Sequence, residues 1–145
     1  MGQIDTKNLM KIYRKCVSLC KQYRWPFAFR VDHGTYETAI EFIDSKSYHP
    51  PISANWDTKP VIFCPDLLDY HNKIIIEYEE EVGKRLSGAK LAVKGHTREG
   101  DMDNKRDYRR NLYYERGGFN VLRIYESDIM WQIKLENFLQ SLNEN

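Results

Sequence analysis

An α/β domain, with a mixed central β-sheet flanked by helices, is the fold class that this sequence predicts. Three observations carry it. An apolar stripe at helical spacing opens the chain: Leu9, Ile12, Cys16, Leu19 and Tyr23. Two short runs rich in Leu, Ile and Tyr, 67–70 and 73–78, flank the turn-compatible pair His71-Asn72. Further on, the strand-like "FNVLRIY" lies between two helical patterns. In the order helix, loop, hairpin, helix, strand, helix, the last strand can lie parallel to the second hairpin strand through a right-handed crossover. At 145 residues the chain suits one domain with a real core.

The elements follow in order. The first helix is expected over about residues 6–24, with Lys7, Lys11, Arg14 and Lys21 on its polar side and Pro26 ending it. A second is expected from Thr35, a suitable N-cap after Gly34, to about Ser45 through Tyr36, Ala39, Ile40 and Ile43. The polar, proline-rich "DSKSYHPPISANWDTKP" reads as a long loop with room for one short strand, and loops of that length are often functional. Val61 to Phe63 would extend the first strand of the hairpin. Gly83, Gly88, Gly95 and Gly100 mark 83–100 as a basic loop, and Asp103 to Arg116 reads as a helix stopped by Gly117-Gly118. "FNVLRIY" is the last strand, and Asp128 to Leu142 an amphipathic closing helix. The organisation expected is a basic helical extension over 1–33, a core over 34–130 and a closing helix over 131–145.

Hydrophobic residues at 41% and charged residues at 30% are ordinary for such a fold. No apolar run reaches membrane-spanning length, and "MGQIDTKNLMKIYRK" lacks a signal-peptide core. Three cysteines give no disulfide framework and fit a reducing cytoplasm; Cys16 and Cys20 read as small buried side chains. A net charge of +1 advertises no polyanion partner, but its distribution does. Lys7, Lys11, Arg14, Lys15, Lys21, Arg24 and Arg30 crowd the first thirty residues against Asp5. Lys84, Arg85, Lys90, Lys94 and Arg98 crowd 83–100 against Glu99, while acid gathers in the hairpin and the C-terminal segment. An acidic centre between basic flanks suits an enzyme that acts on a polyanion through bound metal; a basic helix face is alternatively a solvated surface.

The hairpin carries the chemistry. A two-residue or a four-residue turn sets Asp66 directly across from Glu77, and a three-residue turn does not. Alternation then collects Asp66, Glu77 and Glu79 on one face and Leu67, Ile74, Ile76 and Tyr78 on the other. Opposed like charges in a sheet repel across about 5 Å. A divalent cation with oxygen ligands would compensate. The alternative is that Glu77 to Glu81 is a solvated acidic strand end.

Pro65-Asp66 followed by Glu77-Tyr78-Glu79 resembles the signature of the PD-(D/E)xK nuclease superfamily. The C-terminal half is similar to very-short-patch-repair (Vsr-type) endonucleases and their relatives. There a helix with Asp, Arg three residues on and Gly eight further leads into a "VLR" strand, as Asp107, Arg110, Gly118 and "VLRI" do here. Asp103 and Arg106 repeat the pair one turn earlier. The resemblance spans roughly 35–130 and implies a restriction-endonuclease-like core. It also implies a magnesium ion, with manganese as an alternative, at Asp66, Glu77 and Glu79, and a further acid from an early helix, for which Glu37 is the best match and Glu41 the understudy. His96 resembles a histidine that follows the acidic strand in Vsr-like proteins, although about sixteen residues intervene here. Glu79 stands where the superfamily's lysine would be, so that lysine's work must be done otherwise.

The function expected is therefore metal-dependent hydrolysis of DNA phosphodiester bonds by a cytoplasmic monomer or homodimer with no membrane partner. Asp66 and Glu77 would hold the metal, with Glu79 as a further ligand or proton acceptor. Lys11, Arg14, Lys84, Arg85, Lys94, Arg98 and Arg110 would contact DNA. The other readings are a structure-selective nuclease such as a Holliday-junction resolvase, a catalytically silent nucleic-acid-binding module with a nuclease fold, and an assembly protein whose acids bind calcium.

Overall fold

The computed structural model describes residues 3–34, 36–43, 60–80 and 108–144, with side chains from residue 6 onward. The first helix, α1, covers Gln3–Tyr23 and puts Leu9, Ile12, Cys16 and Leu19 into the core. It ends where Arg24 turns left-handed at φ 57° and the Trp25 N–H reaches back to the Cys20 carbonyl, 3.0 Å away. Trp25 then stacks on Tyr23 with ring centroids 4.7 Å apart.

Four strands form the main sheet: β1 (Arg30–Val31), β4 (Leu67–Asp69), β5 (Ile74–Glu79) and β6 (Asn120–Tyr125), ordered β1-β4-β5-β6. The first two pairings are antiparallel and β5 with β6 is parallel, as the crossover order implies. Strands β2 (Ile40–Ile43) and β3 (Pro60–Phe63) make a separate antiparallel pair. A helix over 108–116, here α2, precedes β6, and α3 (Trp131–Asn143) follows it. Among the described residues no helix is long and apolar enough to cross a membrane.

Two apolar layers lie against the sheet. Leu67, Ile74, Ile76, Leu122 and Ile124 share one with α1 and with Leu135 and Leu139 of α3. Leu68 and Ile75 share the other with Ile40 of β2, Tyr114 of α2 and Phe119. Both sheet faces are therefore covered, which is why β5 reads "IIIEY" with three consecutive fully buried isoleucines.

Two expectations need correcting. The expected helix over residues 35–45 is, in its described part 36–43, instead a turn followed by β2. Tyr36 sits at φ 62° and the Ala39 N–H closes a turn on the Tyr36 carbonyl at 3.2 Å, so no helix starts there. The apolar Ile40 and Phe42 then alternate against β3, from Ile40 opposite Phe63 to Ile43 opposite Pro60. Nor does 61–63 extend the hairpin: the chain leaves the small sheet at Phe63 and enters the large one at Leu67. Pro65, with no N–H to donate, lies in that break, and its carbonyl accepts the buried Thr38 hydroxyl at 2.6 Å.

The Gly117-Gly118 stop behaves as expected. Gly118 is left-handed at φ 81°; its N–H bonds the Glu115 carbonyl at 3.0 Å and the Phe119 N–H bonds the Tyr114 carbonyl at 3.0 Å. At Gly117 a Cβ would come within 3.0 Å of the Phe119 ring and 3.1 Å of Phe42, so the sharp exit from α2 into β6 leaves no room for a side chain.

Candidate active site

The hairpin register is the one that opposes the two acids. Leu67 faces Ile76, Leu68 faces Ile75 and Asp69 faces Ile74, around a four-residue turn whose Lys73 N–H bonds the Tyr70 carbonyl at 3.2 Å. One step further along the same register, Asp66 meets Glu77.

There the side chains take over from the backbone ladder. The Asp66 N–H donates to Glu77 Oε1 at 2.8 Å, and the Tyr78 N–H donates to Asp66 Oδ2 at 2.7 Å. A regular ladder would place Pro65 opposite Tyr78, and proline has nothing to offer: no N–H, and a carbonyl committed to Thr38. The Asp66 carboxylate fills that gap. Each acid is thus locked by the other's strand, and Glu77 is only 2% exposed.

Cations approach from α2 and β6. Arg110 Nη1 lies 3.1 Å from Glu77 Oε2, with its guanidinium 5.3 Å from the Phe63 ring centre. Arg123, in register beside Glu77 on the parallel strand, pairs through Nη1 with Glu79 and through Nη2 with Asn111 Oδ1 at 2.5 Å. One turn beyond Arg110, Tyr114 is wholly buried, and among the described residues its hydroxyl has no hydrogen-bond partner. It lies within the fields of Glu77, Arg110, Arg123 and Asp66.

The electrostatics follow from burial. Desolvation, then the charge of Glu77, pushes Asp66 up to about 7, against relief from the Tyr78 N–H. Burial likewise raises Glu77, although Arg110 and the Asp66 N–H favour its charged form. The Tyr114 hydroxyl is held in its neutral form by burial and by the Glu77 charge. Two acids that share one buried spot and resist ionisation together are what a bound cation would relieve.

Asp66, Glu77 and Glu79 do gather on the α2 face, with Tyr78 on the other side among the partly buried residues that pack on the α1 layer. Among the described residues, however, no three His, Cys, Asp or Glu side chains form a ready-made metal cage, since Glu79 is turned to Arg123. Glu37 is exposed on the turn before β2, not on a helix, and Glu41 is exposed within β2. Lys11 and Arg14 are exposed on α1, which packs on the opposite sheet face from Arg110. Lys84, Arg85, Lys94, His96, Arg98, Asp103, Arg106 and Asp107 lie outside the described residues.

Sequence reasoning missed three contributors. Arg123 is found only by aligning β6 with β5, and Tyr114 only by stepping four residues from Arg110. Thr38 carries no local signal, because its role depends on a partner twenty-seven residues away. Comparison of the chain with protein-family models, curated proteins and solved structures finds no match, so the reading of this site rests on its own geometry.

Proposed function

We propose that the protein is a magnesium-dependent DNA endonuclease of the PD-(D/E)xK kind, with Asp66 and Glu77 as the metal-holding pair and a restriction-endonuclease-like core. The observation that carries the reading is the reciprocal lock between the two acids, each fixed by a backbone N–H of the opposite strand. A mere solvated strand end would leave Glu77 in water, and it is buried.

The residues fit a hard divalent cation. Asp66 Oδ1 has no hydrogen-bond partner among the described residues, and the Glu77 carboxylate lies beside it with a backbone N–H and Arg110 as its partners. Magnesium favours one or two carboxylates completed by water and phosphate oxygens over an all-protein cage, so a pair of acids suffices. When bound, such an ion supplies a Lewis acid for a phosphate oxygen and acidifies a water. The chain's own residues do the rest. Tyr78 fixes the Asp66 carboxylate through its N–H, and the Asp66 N–H fixes Glu77 in turn. In the metal-free protein Arg110 holds the second Glu77 oxygen. Among the described residues the buried Tyr114 hydroxyl has no hydrogen-bond acceptor.

One observation favours the catalytically silent, DNA-binding reading: Glu77 and Glu79 each already have an arginine partner. Incubating the full chain with supercoiled plasmid in magnesium, against a chelator control, separates the two. Metal-dependent nicking that disappears with Asp66→Asn establishes the nuclease; retention of DNA without any nicking in magnesium or manganese establishes the silent module.

A further inference from the structure

The carboxylate site carries its own counter-ions. Among the described residues, Asp66, Glu77 and Glu79 lie beside Arg110 and Arg123. A divalent cation entering that cluster would shift its charge toward positive, so the site would favour phosphate more with the ion than without it. That coupling needs groups that change partners.

Arg110 and Arg123 are those groups. Each is tied to a carboxylate on the face that would receive the cation: Arg110 to Glu77 Oε2, and Arg123 to Glu79. Neither arginine is sealed in, with side-chain exposures of 29% and 17%. Arg123 also borders an open cleft of about 510 Å³ between α2 and β6, whose rim includes Asn111, Tyr125 and Lys134. A guanidinium presents five donors in a planar fork, and Arg123 spends two of its nitrogens on Glu79 and Asn111. The same fork matches a phosphate diester oxygen pair as well as it matches a carboxylate.

Resting on the nuclease reading above, we propose that Arg110 and Arg123 are the phosphate-gripping arm of the site. Glu77 and Glu79 hold them in the metal-free protein, and they pass to the phosphate of a nucleic-acid backbone when a divalent cation engages those carboxylates. Metal and phosphate then bind cooperatively, each strengthening the other by the same factor.

The test is a double-mutant cycle on binding, with no turnover required. Affinity of the full chain for a short fluorescent DNA duplex is measured in chelator for wild type, Glu79→Gln, Arg123→Gln and the double variant, each first checked for a cooperative melt. Glu79→Gln should tighten binding about fivefold or more, because Arg123 is released without metal. In the Arg123→Gln background the same substitution should gain almost nothing. An equal gain in both backgrounds means that only the overall field changed, and no gain in either means that Arg123 is not held back; both overturn the proposal. If Arg123→Gln does not fold, Arg123→Lys takes its place in the cycle: it keeps the charge but not the fork, and a gain undiminished there overturns the proposal equally. Titrating wild type with calcium, with and without duplex, gives the second readout. The calcium affinity should rise with duplex by the factor by which calcium raises duplex affinity, and that factor should shrink in Arg123→Gln. Plasmid nicking by wild type with a flat cycle leaves the nuclease reading standing and removes the exchange alone; absence of both nicking and duplex binding removes both.

Discussion

The β4–β5 hairpin buries a carboxylate near each of its ends, and the two are built differently. At the turn, Asp69 is 3% exposed and accepts three hydrogen bonds from neutral donors: the Ala28 N–H at 2.9 Å, the Asn72 N–H at 3.1 Å and Asn72 Nδ2 at 2.7 Å. Among the described residues no second acid is hydrogen-bonded at that spot. At the open end, Glu77 is as deeply buried, yet it faces another carboxylate and accepts one backbone N–H and one guanidinium. Asp69 has the donors that a buried carboxylate needs to hold a loop. Asp66 and Glu77 repel each other inside a sheet, an arrangement that costs stability and is retained where something other than stability is gained.

The largest difference should appear in activity. On the nuclease reading proposed above, Asp66→Asn and Glu77→Gln should each lower metal-dependent cleavage by more than about 100-fold, since even outer partners of metal ligands cost 10- to 100-fold. Asp69→Asn should cleave normally per folded molecule. Plasmid nicking at a temperature well below each variant's melt distinguishes them, and a fully active Glu77→Gln would remove the metal-pair assignment. Stability should show the reverse ranking. Asp69→Ala strands the Asn72 and Ala28 donors beside a small cavity, and should cost roughly 2–4 kcal/mol in urea unfolding. A loss under half a kcal/mol would mean that solvent replaces Asp69 freely.

That contrast was only partly readable from the sequence. Alternation in "LLDYHNKIIIEYE" and the turn length set the register, so the Asp66–Glu77 opposition could be reached from local pattern alone. The α1 stripe, the Gly117-Gly118 stop and the parallel β6 were reached the same way. What failed was segment 36–43, because Tyr36, Ala39, Ile40 and Ile43 fit a helical spacing while Ile40 and Phe42 fit a strand. The decision came from β3, a partner some twenty residues away. The arginine partners of Glu77 and Glu79 were hidden for a related reason: they depend on how α2 and β6 dock, and no local period reports that.

The third expectation concerns pH. Asp66 is raised from its ordinary 3.8 to about 7, first by burial and then by Glu77, with Glu79 of β5 adding to the effect and Arg110 of α2 opposing it. Across that window the folded, metal-free protein binds more protons than the unfolded chain. Stability is therefore lost as pH rises through the folded value and regained as it falls toward the unfolded one. The free energy of unfolding from urea titration in chelator should rise by roughly 1–3 kcal/mol on going from about pH 7.5 to about pH 5. Asp66→Asn should flatten that slope. A wild-type slope of opposite sign would show that Asp66 is charged and well partnered in the fold. Asp128 acts the other way and lower down. Burial, which would raise it, is outweighed by the Tyr125 N–H and Lys134, so its contribution is lost only as pH falls below the usual carboxylate range.

The smallest effect is the most discriminating between the two ends of the hairpin. Asp66→Asn removes one of two facing charges and keeps an amide oxygen to accept the Tyr78 N–H, while the Asp66 backbone N–H still serves Glu77. It forfeits some attraction to Arg110, which lies 3.1 Å from Glu77 and keeps that stronger partner. The net change in chelator near neutral pH should be a stabilisation on the order of 1 kcal/mol, the size of one relieved like-charge pair in a sheet. If the pair holds magnesium as proposed, the added ion should cancel the advantage, because only the wild type keeps both carboxylates to bind it and be stabilised by it. At the turn, Asp69→Asn has no repulsion to relieve and one fewer charge to satisfy its three donors, so it should never stabilise. A lower melting temperature for Asp66→Asn in chelator would mean that the charge itself holds the strands together, and the open end of the hairpin would then be a second structural clasp like the first.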